Sequence, residues 1–301
     1  MGPDTRVLRR RAAPDLSGRA AIITGASRGL GAAIAERFLA TNASVMLCAQ
    51  DGAELEARRA QLAAAHSADR VAVQTADIAS EAEVDALFDA ATRAFGRIHI
   101  LVNNAAVTGP IGPLDAVDWD EWLATISVNL AGTAYCARKA LFLFKPHGYG
   151  KIINISGGGA ADPLPRMTAY AVSKAAIARF TETLALEVRD YGIDVNAVAP
   201  GPLATRMFDQ LIAAGPERIG AELHASIKKQ KSEGATPLDL GASLCAYLAS
   251  AESDGLTGRM LAARWDPWPF TDPIKAEIAD GDIYTLRRIT PQDRGKDWSD
   301  P

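Results

Sequence analysis

A short apolar run, Arg19-Ala-Ala-Ile-Ile-Thr24, leads directly into Gly25-Ala-Ser27-Arg28-Gly29-Leu30-Gly31, and a stretch of helical composition follows from Ala32 to Thr41. A brief, continuous apolar run of this kind reads as a strand buried in a parallel sheet. The glycines permit a tight turn and close backbone approach, and the N-terminus of the next helix then faces any anion lying there. The spacing is Gly-x-x-x-Gly-x-Gly rather than the commoner Gly-x-Gly-x-x-Gly. Taken alone, it is equally compatible with a tight structural turn that binds nothing.

The same alternation continues down the chain. Further strands are expected at 43–49, 70–75, 98–102, 151–155, 193–199 and 259–263. Helices are expected at 51–65 and 80–95, the latter opened by a capping box of Ser80 and Glu83 and closed by Gly96. A long helical region should run from Asp118 or Asp120 to Phe144, ahead of Pro146. Another carries Ile177, Phe180, Leu184 and Val188 at spacings of 3, 4 and 4, a core stripe. Residues 205–232 look helical but are broken at Gly215-Pro216, and one more helix should run from Pro237 or Leu238 to Ser250. Strands alternating with helices predict an α/β fold, a doubly wound parallel sheet of about seven strands. No linker and no repeat divides it. The expected organisation is an N-terminal tail over 1–18, one domain over 19–263 and a C-terminal extension over 264–301.

Several function classes are disfavoured. The formal net charge of −4 gives no reason to expect nucleic acid or an anionic membrane as partner. No apolar run approaches the length of a membrane span. Cys48, Cys136 and Cys245 stand far apart without metal-type spacing, as do the four histidines, so no metal site is expected. Reduced, buried thiols in a cytoplasmic protein are the expectation. The tail, with Arg6, Arg9, Arg10 and Arg11, lacks the apolar core of a secretory signal.

Tyr170-Ala-Val-Ser-Lys174 carries chemistry. A tyrosine and a lysine four residues apart on a helix project from one face. An ammonium beside a phenol is expected to lower its pKa from the ordinary value near 10. Such a pair can give or take a proton at a carbonyl or alcohol.

The turn at Gly25–Gly31, Asn103-Asn104-Ala105, Asn129, Ser156, Tyr170 with Lys174, and Pro200-Gly201 followed by Thr205 stand in a fixed order over residues 19–263. The ordered set resembles the short-chain dehydrogenase/reductase family, although Ala106 stands where that family usually has glycine. The resemblance implies a Rossmann-type fold and an NAD(P)(H)-dependent oxidoreductase acting on a small-molecule carbonyl or alcohol. It implies a catalytic tetrad of Asn129, Ser156, Tyr170 and Lys174, with Tyr170 as general acid/base. Lys174 would lower the tyrosine pKa and hold the nicotinamide ribose, Ser156 would orient the reacting oxygen, and Asn129 would hold a water. The implied cofactor contacts are Gly25, Ser27, Arg28, Gly29, Leu30, Gly31, Gln50, Asp77, Ile78, Asn103, Ala105, Tyr170, Lys174, Pro200, Gly201 and Thr205. Ala49 is neutral where an acid would favour NAD, and Arg28 could meet a 2′-phosphate, so NADP is favoured and NAD stays open. A homotetramer or homodimer is implied, built on 131–143 and 170–189, with Ala131, Ala134, Ala137, Ala175 and Ala178 allowing close approach. The alternatives weighed are a dinucleotide-binding sensor and a sugar-nucleotide epimerase or dehydratase on the same fold.

The substrate pocket is expected between 156–167 and 203–232, apolar through Pro163, Leu164, Pro165, Met167, Leu203, Met207 and Phe208, with Arg166 and Arg206 as anchors for an acid group. The extension holds Trp265, Trp268, Phe270, Ile278 and Tyr284, which are costly to leave in water. Residues 265–286 are expected to pack beside the substrate segment, with a short helix capped by Asp272 and a further helical turn near Asp282 to Arg288.

Overall fold

The structure, a computed structural model, describes residues 14–298. The arginines of the N-terminal tail lie outside that range. Seven strands form one parallel sheet in the order β3-β2-β1-β4-β5-β6-β7. They are β1 (Ala20–Thr24), β2 (Ser44–Ala49), β3 (Val71–Thr75), β4 (Ile100–Asn103), β5 (Gly150–Ile155), β6 (Ile193–Ala199) and β7 (Met260–Ala262). The order reverses between β1 and β4, so a crevice opens at the carboxyl ends of those two strands. This is where open α/β sheets bind ligands.

Alternate strand residues feed two cores. Ala21 and Ile23 of β1, with Val45 and Leu47 of β2, face α1 (Gly29–Ala40), α2 (Gly52–Ala65) and α9 (Leu238–Ala249). Ala20, Ile22, Met46 and Cys48 face α3 (Glu81–Phe95), α5 (Thr133–Phe144) and α6 (Thr168–Glu187). This two-residue period explains why the strands read as continuous apolar runs: both faces are covered. In the α6 stripe, Ile177, Leu184 and Val188 are buried and Phe180 is partly so. One strand cation departs from the pattern. Lys151 of β5 is fully buried, and its Nζ meets Asp194 at 2.6 Å and Asp254 at 2.7 Å.

Several local expectations change. α1 begins inside the glycine turn, earlier than Ala32. Ser80 Oγ accepts the Glu83 N–H at 3.4 Å, but the Glu83 carboxylate takes the Asp77 N–H at 2.8 Å, so the capping box is only half formed. The long helix before Pro146 is α4 (Trp119–Ile126), capped by Asp118, then a π-helical turn over Ser127–Gly132, then α5. Residues 206–233 form α7 (Arg206–Ile219), kinked at Gly215 with φ 74°, and α8 (Ala221–Glu233).

The extension packs on the sheet edge. Phe270 and Ile278 are buried in the core shared with α1 and α9. The Met260 N–H of β7 donates to Tyr284 O at 2.9 Å, so the extension supplies an acceptor to the edge strand. Helix α10 (Asp272–Asp280) is preceded by Thr271 as its cap residue, not Asp272. Arg259 Nη2 holds its C-terminal end through Ile278 O at 2.6 Å, Ala279 O at 3.3 Å and Gly281 O at 3.1 Å. Residues 282–288 form a turn closed by Thr285 N–H to Asp282 O at 3.1 Å rather than a helix.

Candidate active site

The carboxyl ends of β1 and β4 are fastened together before any ligand is considered. Thr24 Oγ1 accepts the N–H groups of Asn104 and Ala105 at 3.0 and 3.1 Å. Asn104 Nδ2 donates to Thr24 O at 2.9 Å and Gly25 O at 3.0 Å. A Cβ on Gly31 would lie 2.3 Å from Gly25 O, and one on Gly25 would lie 2.8 Å from Ala105 Cα. Only glycine fits either place, and Gly25 and Gly29 also adopt positive φ. Arg28, the cap residue of α1, makes no side-chain cap bond, and the first turn of α1 contains no acid. This turn therefore offers first-turn N–H groups and the positive end of a helix to an anion. It fits the pyrophosphate of a dinucleotide on its own geometry.

From that turn a cleft of about 1540 Å³ runs past Asn104 to Ser156, Tyr170 and Lys174 and on to α7 and α8. Arg28, Gly29, Leu30, Pro200, Gly201 and Thr205 line it as well. Other expected cofactor residues do not. Gly25, Ser27, Gly31 and Ala105 are not among its lining residues. Asn103 is buried and donates to Asn154 Oδ1 at 2.9 Å, while Ile78 packs against Gly132 of the π-helical turn. Gln50 is exposed beyond β2. Asp77 Oδ1 accepts the Ala79 N–H at 2.9 Å.

The expected tetrad comes from three elements. Ser156 follows β5, Tyr170 and Lys174 stand in the first two turns of α6, and Asn129 lies in the π-helical turn. Ser156 Oγ donates to Lys174 O at 3.3 Å, and Lys174 Nζ donates to Ile155 O at 2.8 Å. A Cβ on Gly157 would lie 3.2 Å from Tyr170 Oη, so a side chain there would crowd the hydroxyl. Asn129 is not brought to the cleft. Its Oδ1 accepts the Val107 N–H at 2.8 Å, and its Nδ2 donates to Val107 O at 3.0 Å and Ser173 Oγ at 3.1 Å. Ser173 Oγ in turn donates to Tyr170 O at 2.7 Å. The Asn129 side chain is thus committed to protein partners and ties the loop after β4 to the helix of Tyr170.

The electrostatics reverse one expectation. Burial pushes the Tyr170 phenol up to about 12 and the Lys174 ammonium down to about 8. Loss of water disfavours the charged form of each group. Lys174 Nζ lies 5.5 Å from the Tyr170 ring centroid and is directed at Ile155 O, so the phenol is not lowered. At neutral pH the pair is a protonated phenol beside an ammonium.

The far part of the cleft is largely apolar, with Gln210, Arg218 and Gln230 among its lining. Leu164, Met167, Leu203, Met207 and Phe208 line it as expected, while Pro163 and Pro165 do not. Arg166, expected as an anchor, is not among the lining residues. Its Nη1 donates to Glu217 O at 2.7 Å and braces the end of α7. Arg206 is exposed on the wall. Met260 and Ala262 form a wall that the motif reading did not include, and of the stretch 265–286 expected beside the substrate segment Trp265 reaches the lining while Phe270 and Ile278 pack with α1 and α9. The turn bearing Trp265 is held by Ala262 N–H to Asp266 Oδ2 at 2.6 Å and Trp268 Nε1 to Ala263 O at 3.0 Å. Glu54, also unforeseen, binds the glycine turn from α2: Ser27 Oγ and Arg28 Nη1 each donate to its Oε2 at 2.7 Å. Its bonds cross between elements, so no local sequence pattern marks it.

Comparison with known proteins agrees with this geometry. The family pattern described as short chain dehydrogenase matches residues 19–214. A "Short-chain type dehydrogenase/reductase" of Picea abies is 40% identical over 252 residues, covering 82% of this chain and 91% of that one. A "3beta-hydroxysteroid dehydrogenase 1" of Eggerthella lenta is 38% identical over 248 residues, covering 82% and 92%. The crystal structure of levodione reductase superposes with a TM-score of 0.74 at 28% identity, covering 82% of this chain and 96% of that one.

Proposed function

We propose a specific reading from one premise: the chain belongs to the short-chain dehydrogenase family. It is an NAD(P)-dependent oxidoreductase that transfers a hydride between nicotinamide and a carbonyl/alcohol pair. Within that class, we read it as a reductase of bulky, apolar carbonyl compounds at neutral pH. The observation that carries the reading is a protonated Tyr170 at the inner end of a wide cleft whose far walls are Leu164, Met167, Phe208, Met260 and Trp265.

The bound nicotinamide supplies the hydride. Tyr170 Oη donates its proton to the carbonyl oxygen as that oxygen gains charge, and the alcohol leaves with both. Ser156 Oγ orients the same oxygen by hydrogen bonding. Lys174 carries the positive charge that offsets the phenolate left behind, and it holds the nicotinamide ribose. Asn129 acts as a positioning residue, through Ser173, on the helix of Tyr170. The largely apolar walls favour a substrate with an apolar body, while Arg206, Gln210, Arg218 and Gln230 on the same lining can meet only a few polar groups.

Between the two dinucleotides, the sequence preference for NADP(H) rests on Arg28. That guanidinium is shared with Glu54, which weakens the preference and supports a place for NAD(H) as well. Assembly through the outer faces of α5 and α6 is supported by exposed Phe142, Val172 and Leu186. Ala137 and Ala178, expected at that interface, are instead buried in the subunit's own core. Among the described residues no helix is long and apolar enough to cross a membrane. The free thiols of Cys48, Cys136 and Cys245 suit a cytoplasmic placement. A panel of cyclic apolar ketones, small polar ketones and sugars, followed by nicotinamide absorbance, tests the substrate reading. The cyclic ketones should show kcat/KM at least about tenfold higher. Turnover of sugars alone would overturn it.

A further inference from the structure

We propose that Glu54 tunes the choice between the two dinucleotides by competing with a 2′-phosphate for the guanidinium of Arg28. The inference rests on the reading that the turn Gly25–Gly31 holds the dinucleotide. Glu54 lies in the first turn of α2, far from that turn in sequence, yet its Oε2 is the shared acceptor of Ser27 Oγ and Arg28 Nη1 at 2.7 Å each. The helix is capped at its start and stitched to the turn by a further bond. Asp51 Oδ1 caps it by accepting the Glu54 N–H at 3.0 Å, and Arg58 Nε donates to Ser27 O at 3.2 Å. The carboxylate is therefore held on the flank of the turn where β2 also ends.

The surroundings give Arg28 its weight. Ala49 and Gln50, at the end of β2, carry no charge, and Arg58 spends its Nε on the turn backbone. Arg28 is the cation in the turn itself that a 2′-phosphate would meet. The side chains of Arg28 and Glu54 are 50% and 34% exposed, so their ion pair is wet and exchangeable rather than locked. The Ser27 hydroxyl, then the Arg28 guanidinium, hold the Glu54 carboxyl below its ordinary range, so it is charged at neutral pH. A 2′-phosphate approaching Arg28 must break the pair and then sit beside the displaced carboxylate. A free 2′-hydroxyl carries no such charge and meets no such competition.

Calorimetric titration of the full chain with 5′-AMP and with adenosine 2′,5′-bisphosphate reads this directly, without turnover. In Glu54→Gln the affinity for the bisphosphate relative to 5′-AMP should rise about tenfold, the size of one lost surface pair plus one like-charge contact. In an Arg28→Gln background the same substitution should move that ratio by less than about twofold. An unchanged ratio in the parent background, or an undiminished effect without Arg28, would overturn the proposal. Glu54→Ala, read in the same way, provides the test should the glutamine variant melt early. Binding of neither nucleotide to the parent protein would instead overturn the assignment of the turn, a result distinct from an unchanged ratio.

Discussion

Replacing Phe270 with alanine measures how firmly the C-terminal extension is built into the domain. Phe270 is 3% exposed and joins the core formed with α1 and α9. Its ring lies 5.9 Å from that of Tyr284, and its N–H donates to Tyr247 Oη at 3.2 Å. The substitution leaves the backbone bond in place and removes only the ring. A buried Phe→Ala change costs about 3–5 kcal/mol, the transfer of the ring plus the cavity it leaves. For a chain of this size each kcal/mol moves Tm by about 2–4 °C, which gives a fall of about 6–20 °C. Ile274, on α10 and 44% exposed, is the internal control, and its alanine variant should lie within about 1 kcal/mol of the parent. Thermal melts by circular dichroism, with a urea series to check that m is unchanged, provide the comparison. If Phe270→Ala melts within about 2 °C of the parent while Ile274→Ala does the same, the extension contributes nothing to the core and the reasoning fails.

Tyr170→Phe removes one proton donor from the cleft, so turnover should fall by about 10²–10⁴-fold while dinucleotide affinity by titration is retained; survival of more than about a hundredth of the activity would contradict the acid role. The Lys174 ammonium, lowered to about 8 from 10.5, should set the alkaline limb of kcat/KM, because Tyr170 stays protonated up to about 12. Lys174→Arg should move that limb upward, and a limb still near 8 in that variant would refute the assignment. The same shift has a sign for stability: between pH 8 and 10.5 the folded state binds fewer protons at Lys174 than the unfolded state, so this group's contribution rises with pH across that window. Light scattering should find a dimer or tetramer, and Phe142→Asp with Leu186→Asp should shift it toward monomer; a monomeric parent at micromolar concentration would remove the α5–α6 interface from consideration.

What the sequence by itself determined is what depends on neighbours along the chain. The apolar runs of β1 and β2, the glycines of the turn, the cap at Asp118, one of the two aspartates the pattern allowed, and the one-turn spacing of Tyr170 and Lys174 are local patterns, and each appears where its pattern predicts. The helix of Tyr170 was legible for the same reason, since its stripe repeats with the period of the helix itself. The remainder was settled by contacts between segments distant in sequence. The π-helical turn interrupts a region that reads as plain helix, and there Asn129 is committed to Val107 and Ser173. The phenol of Tyr170 moves up rather than down, because its environment is set by burial and by where Lys174 Nζ points, not by their spacing. Arg28 reads as a free cation in the sequence and meets Glu54 only when α2 folds back onto the glycine turn. Met260 becomes a wall of the cleft because β7 lies beside β6. Burial and charge pairing are properties of a site in three dimensions, so only the tertiary structure could decide how these groups are hydrated, paired and protonated.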